Sequence, residues 1–238
     1  MSAASAPREV ELSVFAPADF FLEALRSALA ARGIVVQGKS RPGAVGGPVF
    51  LGRTERPLVA VLDRVNKISD NIAAENLLKI LGAETAGPPG SAKTGLRAVA
   101  AYLGGAGIDS GSTILADGSG VSWYNAVTPG DITMVLTDQY RRQGTFGRFL
   151  ASLPVAGMDG TLKNRHASTD VRGRISAKTG TITGVSTLSG YAFTYSGELL
   201  AFSMMFNHYP GDTDGLRAVQ DSVMAEILRL RADPPADK

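Results

Sequence analysis

Arg174–Asn207 reads RISAKTGTITGVSTLSGYAFTYSGELLAFSMMFN, and its punctuation decides the fold. Gly184 splits the first two apolar, β-branched runs, and Tyr195-Ser196-Gly197 splits the second from the third. The runs Arg174–Thr183, Val185–Thr194 and Glu198–Asn207 therefore predict three consecutive strands, the last two joined as a hairpin. Strands that follow one another through tight turns pair antiparallel. A βαβ array would place a helix between them.

Upstream, the periodicity turns helical. Thr128-Pro129 opens a helix with threonine as cap, proline at the first position and Asp131 in the first turn, and Ile132, Val135, Leu136 and Tyr140 form its inner face. A helix from Asp70 is predicted to bury Ala73, Leu77, Ile80 and Leu81 and to stop at Gly82. Pro88-Pro89-Gly90 breaks the chain before another helix through Val99 and Leu103. Asp19 is predicted to cap a helix running to Arg32, with Leu22, Leu25 and Leu29 on one face and Gly33 as its stop. Short strands are predicted at residues 8–15 and at Pro48–Leu51. A last helix carries Leu216, Val219, Val223, Ile227 and Leu230 at helical spacing. The fold class expected is α+β, an antiparallel sheet flanked by helices.

The bulk composition excludes several functions. The 238 residues, 44% hydrophobic and 19% charged, suffice for a sizeable core. Lys plus Arg number 24 against 22 for Asp plus Glu, with no basic block, so no nucleic-acid partner is expected. The absence of cysteine excludes a disulfide framework, a zinc-thiolate site and a cysteine nucleophile. His166 and His208 are the only histidines, and no G-x-S-x-G elbow accompanies them. Met1–Pro7 lacks the basic start and apolar run of a signal peptide, and no stretch has the length of a membrane helix.

Three short segments could carry chemistry: Ser69-Asp70-Asn71, Asp117-Gly118-Ser119-Gly120 and Lys178-Thr179-Gly180. A Ser-Asp-Asn at a helix start also reads as an ordinary cap. Order and setting distinguish this set. The first enters a helix and the last lies on a strand with a hairpin partner, as the S-D-N and K-T-G elements of penicillin-recognising enzymes do.

With Val65–Lys79 (VNKISDNIAAENLLK), Asp117–Pro129 (DGSGVSWYNAVTP), Gly157–Leu162 (GMDGTL) and Ala177–Gly184 (AKTGTITG), the chain resembles the D-Ala-D-Ala carboxypeptidase/endopeptidase family typified by penicillin-binding protein 4. The four motifs stand in family order, and the resemblance spans residues 15 to 231. It implies a β-lactamase/transpeptidase-like fold, incomplete at its N-terminus. Residues 1–13 would end an inserted region, and residues 14–238 would be the C-terminal part of the catalytic domain.

The resemblance implies acyl transfer by a serine. Ser69 would stand in the proton path to the leaving amine, Asn71 would bind the substrate amide, and Lys178 would supply positive charge. The Thr179 and Thr181 hydroxyls would contact the substrate carboxylate beside Gly180, and the Thr181 N–H would form half of an oxyanion hole. For Thr181 an ordinary β-branched strand residue is the alternative. Asp70, Asp117 and Ser119 are read as support beneath the site. Trp123 stands where many relatives carry arginine, which would alter side-chain specificity unless it points into the core. No cofactor and no metal are implied. The implied partners are peptidoglycan peptides and β-lactams, and the implied location of the full-length protein is the periplasm or cell envelope, compatible with peripheral membrane association.

The family's Ser-x-x-Lys nucleophile motif does not occur, since no serine precedes a lysine by three positions. Ser91-Ala92-Lys93 and Ser176-Ala177-Lys178 have a spacing that does not share a helix face. The expectation is a chain inactive alone, or a non-catalytic peptidoglycan- or protein-binding relative. A β-lactamase would need a deacylation base, which nothing outside the resemblance identifies. Gly87–Thr94 (GPPGSAKT) imitates a phosphate-binding loop, but Ala92 occupies the glycine position before lysine, which argues against an NTPase.

Overall fold

The computed structural model describes residues 14–39, 52–109, 111–166, 169–210 and 213–231. The strand expected at 48–51 and most of the one at 8–15 lie outside them, as do residues 1–13. The chain divides into two compact units, Met1–Thr54 and Glu55–Lys238.

In the first unit, α1 spans Pro17–Ala30. It starts two residues before the expected cap: Asp19 lies in the first turn, Ala16 occupies the cap position, and no side chain caps the helix. Proline supplies the preset φ at the start instead. Gly33, at φ +78°, lies where the chain leaves the helix.

The second unit is built on β1 (Ile175–Ile182), β2 (Val185–Phe193) and β3 (Leu199–Asn207), antiparallel in the order β1-β2-β3. Strand alternation sends Ile175, Ala177, Leu188, Ala192 and Phe202 to one face, where Met224 and Leu228 cover them. Those two belong to or directly follow α7 (Asp214–Ile227). The opposite face carries Tyr191, packed with Leu136 and Leu153. Here lie α5 (Pro129–Arg141) and α6 (Gln143–Ser152). The sheet is thus covered by helices on both faces.

Helix α5 begins with a reciprocal box: Thr128 Oγ1 accepts from the Asp131 N–H at 3.1 Å, and Asp131 accepts from the Thr128 N–H at 2.8 Å. Helix α6 (QGTFGRFLAS) has no clear sequence signal because Gly144 and Gly147 weaken its propensity. Its aromatic rings hold it in place. Phe146 and Phe149 meet Tyr191 edge to face at 5.2 and 6.4 Å.

Two predicted stripes are rotated. On α7 Gln220 and Met224 are fully buried and the expected Ile227 packs against the core, whereas Val219 and Val223 are exposed. Gln220 can be buried because it accepts from Arg165 and donates to Ser186 Oγ, each at 3.2 Å. On α3 (Asn71–Ala86) Leu78 and Gly82 are buried, while Ile80 and Leu81 are exposed. Gly82 does not end this helix. A Cβ on it would stand 2.4 Å from Thr94 Oγ1, and one on Gly95 would stand 2.0 Å from the Leu78 carbonyl oxygen. The glycines let α3 and α4 (Ala92–Gly105) cross at backbone contact. Ser91 and Thr94 cap α4 with a capping box, which is what the phosphate-loop look-alike becomes.

Helix α2 (Leu58–Lys67) brings the chain to Ser69. No described helix is long and apolar enough to cross a membrane.

Candidate active site

Ser69 lies between α2 and α3 with φ +59°, in the left-handed region that a non-glycine residue enters at a cost of about 1 kcal/mol or more. The next residue closes the loop. Asp70 is the N-cap of α3 and accepts from the Ala73 N–H at 2.9 Å. Its other oxygen takes two donors from Arg64, at 3.0 and 2.5 Å. The Ala73 N–H and then the Arg64 guanidinium hold its carboxyl below the usual aspartate value. Both readings of Ser-Asp-Asn therefore meet here: the aspartate caps the helix, and the serine is presented beyond it.

Lys178 is carried by β1 on the face opposite Ile175 and Ala177. Its ammonium donates to Ser69 Oγ at 2.7 Å and to the Thr179 carbonyl oxygen at 2.7 Å. Among the described residues it has no carboxylate partner. Burial lowers its pKa from the ordinary lysine value. A cleft of about 360 Å³ surrounds this contact, lined by Asn66, Ser69, Asn71, Lys178, Thr179 and Thr181, with Asp70, Ser119 and Gly180 also on its wall. Gly180 lies tight against β2: a Cβ there would stand 2.4 Å from Thr187 Oγ1.

Asp117 is consumed by its own turn. Burial alone would raise its pKa, but hydrogen bonds from the Asn125 amide and from the Ser122 and Gly120 N–H groups reverse the sign and lower it. The donors stand 2.6 to 2.9 Å away. The turn is tied to α3 by Glu75, which accepts from the Gly118 and Ser119 N–H groups, both at 2.9 Å. Trp123 lies apart from the Ser69 cleft. It is 67% exposed and therefore not a core residue. It borders a neighbouring trough of about 780 Å³, which also reaches Lys178 and Thr179 and whose floor includes Val127, Ile132, Val135 and Phe149.

Glu75 and Thr161 escaped sequence reasoning. Thr161 Oγ1 accepts the Thr179 hydroxyl at 2.8 Å. The GMDGTL motif was the available signal, but neither its sequence nor its spacing says that it folds back beside β1.

The model of the D-Ala-D-Ala carboxypeptidase 3 (S13) family matches residues 1–229. The chain belongs to this family. It is 37% identical over 237 residues to the D-alanyl-D-alanine carboxypeptidase of Actinomadura sp. (strain R39), covering 95% of this chain and 43% of that protein. It is 33% identical over 165 residues to the D-alanyl-D-alanine carboxypeptidase DacB of Haemophilus influenzae, covering 68% of this chain and 34% of that one. The chain thus spans less than half the length of these two relatives. Among solved structures, penicillin-binding protein 4 of H. influenzae, complexed with a β-lactam, superposes with a TM-score of 0.78 at 28% identity, over 89% of this chain and 51% of that one. The TLA-3 extended-spectrum β-lactamase, at a TM-score of 0.56 and 16% identity over 75% of this chain and 67% of that one, shares the fold. The α+β sheet expected from the three strands, and the β-lactamase/transpeptidase-like fold implied by the resemblance, are thus both found.

Proposed function

We propose that this chain forms the leaving-group and carboxylate-binding side of a serine D-Ala-D-Ala carboxypeptidase/endopeptidase acting on peptidoglycan stem peptides. The observation that carries the reading is the 2.7 Å contact between Lys178 Nζ and Ser69 Oγ, in a cleft shared with Asn71, Thr179 and Thr181. A cation without a carboxylate partner among the described residues suits a substrate that ends in a free carboxylate. Two hydroxyls and an amide beside it supply the donors and acceptors to orient a peptide.

In the reaction, a serine oxygen bonds to the carbonyl carbon of the penultimate D-Ala and the C–N bond to the terminal D-Ala breaks. Ser69 and Lys178 relay the proton that leaves with the terminal amine. Water then splits the ester and releases the shortened peptide. The attacking serine is not among these residues in its Ser-x-x-Lys setting. We therefore assign it to a segment outside the 238 residues and expect this chain alone to be inactive. The apolar trough beside Lys178 supports this, because it offers a seat to an apolar segment that ends at the cleft. Substrates of this kind place the complete protein in the periplasm or cell envelope, where β-lactams would also reach it. The missing motif equally favours a second reading, a non-catalytic relative that binds peptidoglycan or another protein.

The test is D-Ala release from an acyl-Lys-D-Ala-D-Ala peptide by the product of the complete reading frame containing these residues. Activity that falls by a factor of about 10² or more in Lys178→Ala and Ser69→Ala, with folding intact, supports the carboxypeptidase. No release and no penicillin adduct would replace it with the binding reading.

A further inference from the structure

Ser69 and Lys178 lie 109 positions apart in sequence, on a loop and a strand that share no direct backbone pairing. Something must hold the loop at hydrogen-bonding distance from the strand, and hold Ser69 in its left-handed conformation. Lys67, the last residue of α2, is placed to do this.

All three ammonium donors of Lys67 have partners: the Leu153 carbonyl oxygen at 2.6 Å and the two carboxylate oxygens of Asp159 at 2.9 and 2.7 Å. Asp159 Oδ1 also accepts from the Val155 N–H at 2.9 Å. The stretch that receives Lys67 is itself fastened to the start of β1. The Ala177 N–H donates to the Pro154 carbonyl oxygen and the Ala156 N–H to that of Ile175, both at 2.9 Å. Lys67, two residues before Ser69, is therefore tied to the strand residues immediately before Lys178. The same strap reaches the Thr179 hydroxyl of the cleft. Gly160 follows Asp159 at φ +56°, and a Cβ on it would stand 2.6 Å from the Lys67 carbonyl oxygen. Only glycine allows that approach, and it sets Thr161 against the Thr179 hydroxyl. Asn66 adds a parallel tie to Ser152 Oγ at 2.7 Å. The Lys67 side chain is 21% exposed, so its charge-assisted bonds are partly shielded from water.

We propose that Lys67 and Asp159 are a positioning pair that sets the Ser69–Lys178 contact from outside the cleft. The proposal rests on the assignment of Ser69 and Lys178 to the active site. Neither Lys67 nor Asp159 lines the Ser69–Lys178 cleft; both act through the loop and the strand they connect.

The experiment is side-chain NMR of this chain with ¹³C-labelled lysine, the Lys178 Cε signal being assigned by Lys178→Arg. Ser69→Ala gives the reference change in the Lys178 shift and titration midpoint on losing the contact. Lys67→Met and Asp159→Asn are expected to move both quantities in the same direction and by a comparable amount. Neither should add a further change in the Ser69→Ala background. Lys67→Arg, which keeps a cation for Asp159, should restore the wild-type values. A purely structural tie would lower the melting temperature and leave the Lys178 signal unmoved, and that result overturns the proposal. A change that adds to the Ser69→Ala effect also overturns it. If Lys67→Met does not fold, Asp159→Asn is read by the same criteria. Loss of folding in both would make the pair a folding determinant and remove the positioning role. Because the readout needs no turnover, its failure is separable from failure of the carboxypeptidase reading, which is decided by D-Ala release.

Discussion

Lys178 donates to Ser69 across 2.7 Å while no carboxylate among the described residues neutralises it. A partly buried cation in that state lowers the stability of the fold and favours an anionic ligand. Lys178→Met is therefore expected to stabilise the chain at pH 7 by on the order of 1 kcal/mol, or about 2–4 °C in melting temperature. The size of this advantage depends on pH in a defined way. The folded-state pKa lies below the ordinary 10.5. Between the two values the unfolded chain binds more protons, so the parent gains stability as pH rises through that window. The advantage of Lys178→Met should shrink accordingly. Thermal melts from pH 7 to 11 check this, and a variant less stable than its parent at pH 7 contradicts it.

Asp70, unlike Lys178, is stabilised in its charged form by the fold. The Ala73 N–H and Arg64 lower its pKa from 3.8, so its contribution is present above that value and lost as pH falls through the lower folded one. Asp70→Ala should cost roughly 2–4 °C at neutral pH. Asp70→Asn should cost less, since an amide oxygen also caps. The difference between parent and Asp70→Ala should vanish in acid. Equal melting temperatures at pH 7 would show that the cap contributes nothing.

The glycines of α4 separate contact from propensity. Gly95→Ala drives a methyl into the Leu78 carbonyl and should destabilise by about 1–3 kcal/mol. Gly104→Ala meets nothing within 4 Å and should stabilise by up to about 1 kcal/mol. Urea unfolding of the two variants distinguishes them, and changes of the same sign would mean that the α3–α4 crossing is not close.

Fluorescent penicillin is expected to leave this chain without a stable covalent label, because no Ser-x-x-Lys pair is present. Gel fluorescence followed by peptide mapping decides the matter. A label found on any serine would show that another hydroxyl here is activated.

Trp123 faces solvent beside the trough and offers an apolar surface with one N–H donor. In the complete protein, Trp123→Arg should raise kcat/KM about tenfold for a peptide with a free acidic side chain relative to its amidated counterpart, the increment of one added charge-assisted pair. An unchanged ratio would remove Trp123 from the specificity determinants.

The sequence by itself determined what depends on near neighbours. Glycine at 184 and 197 and the apolar runs around them delimit the strands, because turn conformation is a local property. Thr128, Pro129 and Asp131 start α5 because a capping box closes within four residues. The order of the four motifs announced the family for the same reason: each motif is a short string. Tertiary structure alone decided which face of α7 is buried. Val219 and Val223 on α7 outrank Gln220 in hydrophobicity, yet Gln220 enters the core because Arg165 and Ser186 satisfy its amide. It also decided that Gly82 and Gly95 are crossing points, since the carbonyl that would meet a Cβ comes from another helix. The Ser69–Lys178 contact and the Lys67–Asp159 tie behind it belong to the same class. Hydrogen bonds between residues about a hundred positions apart leave no periodicity in the sequence, and they form only when packing brings the loop and the strand together.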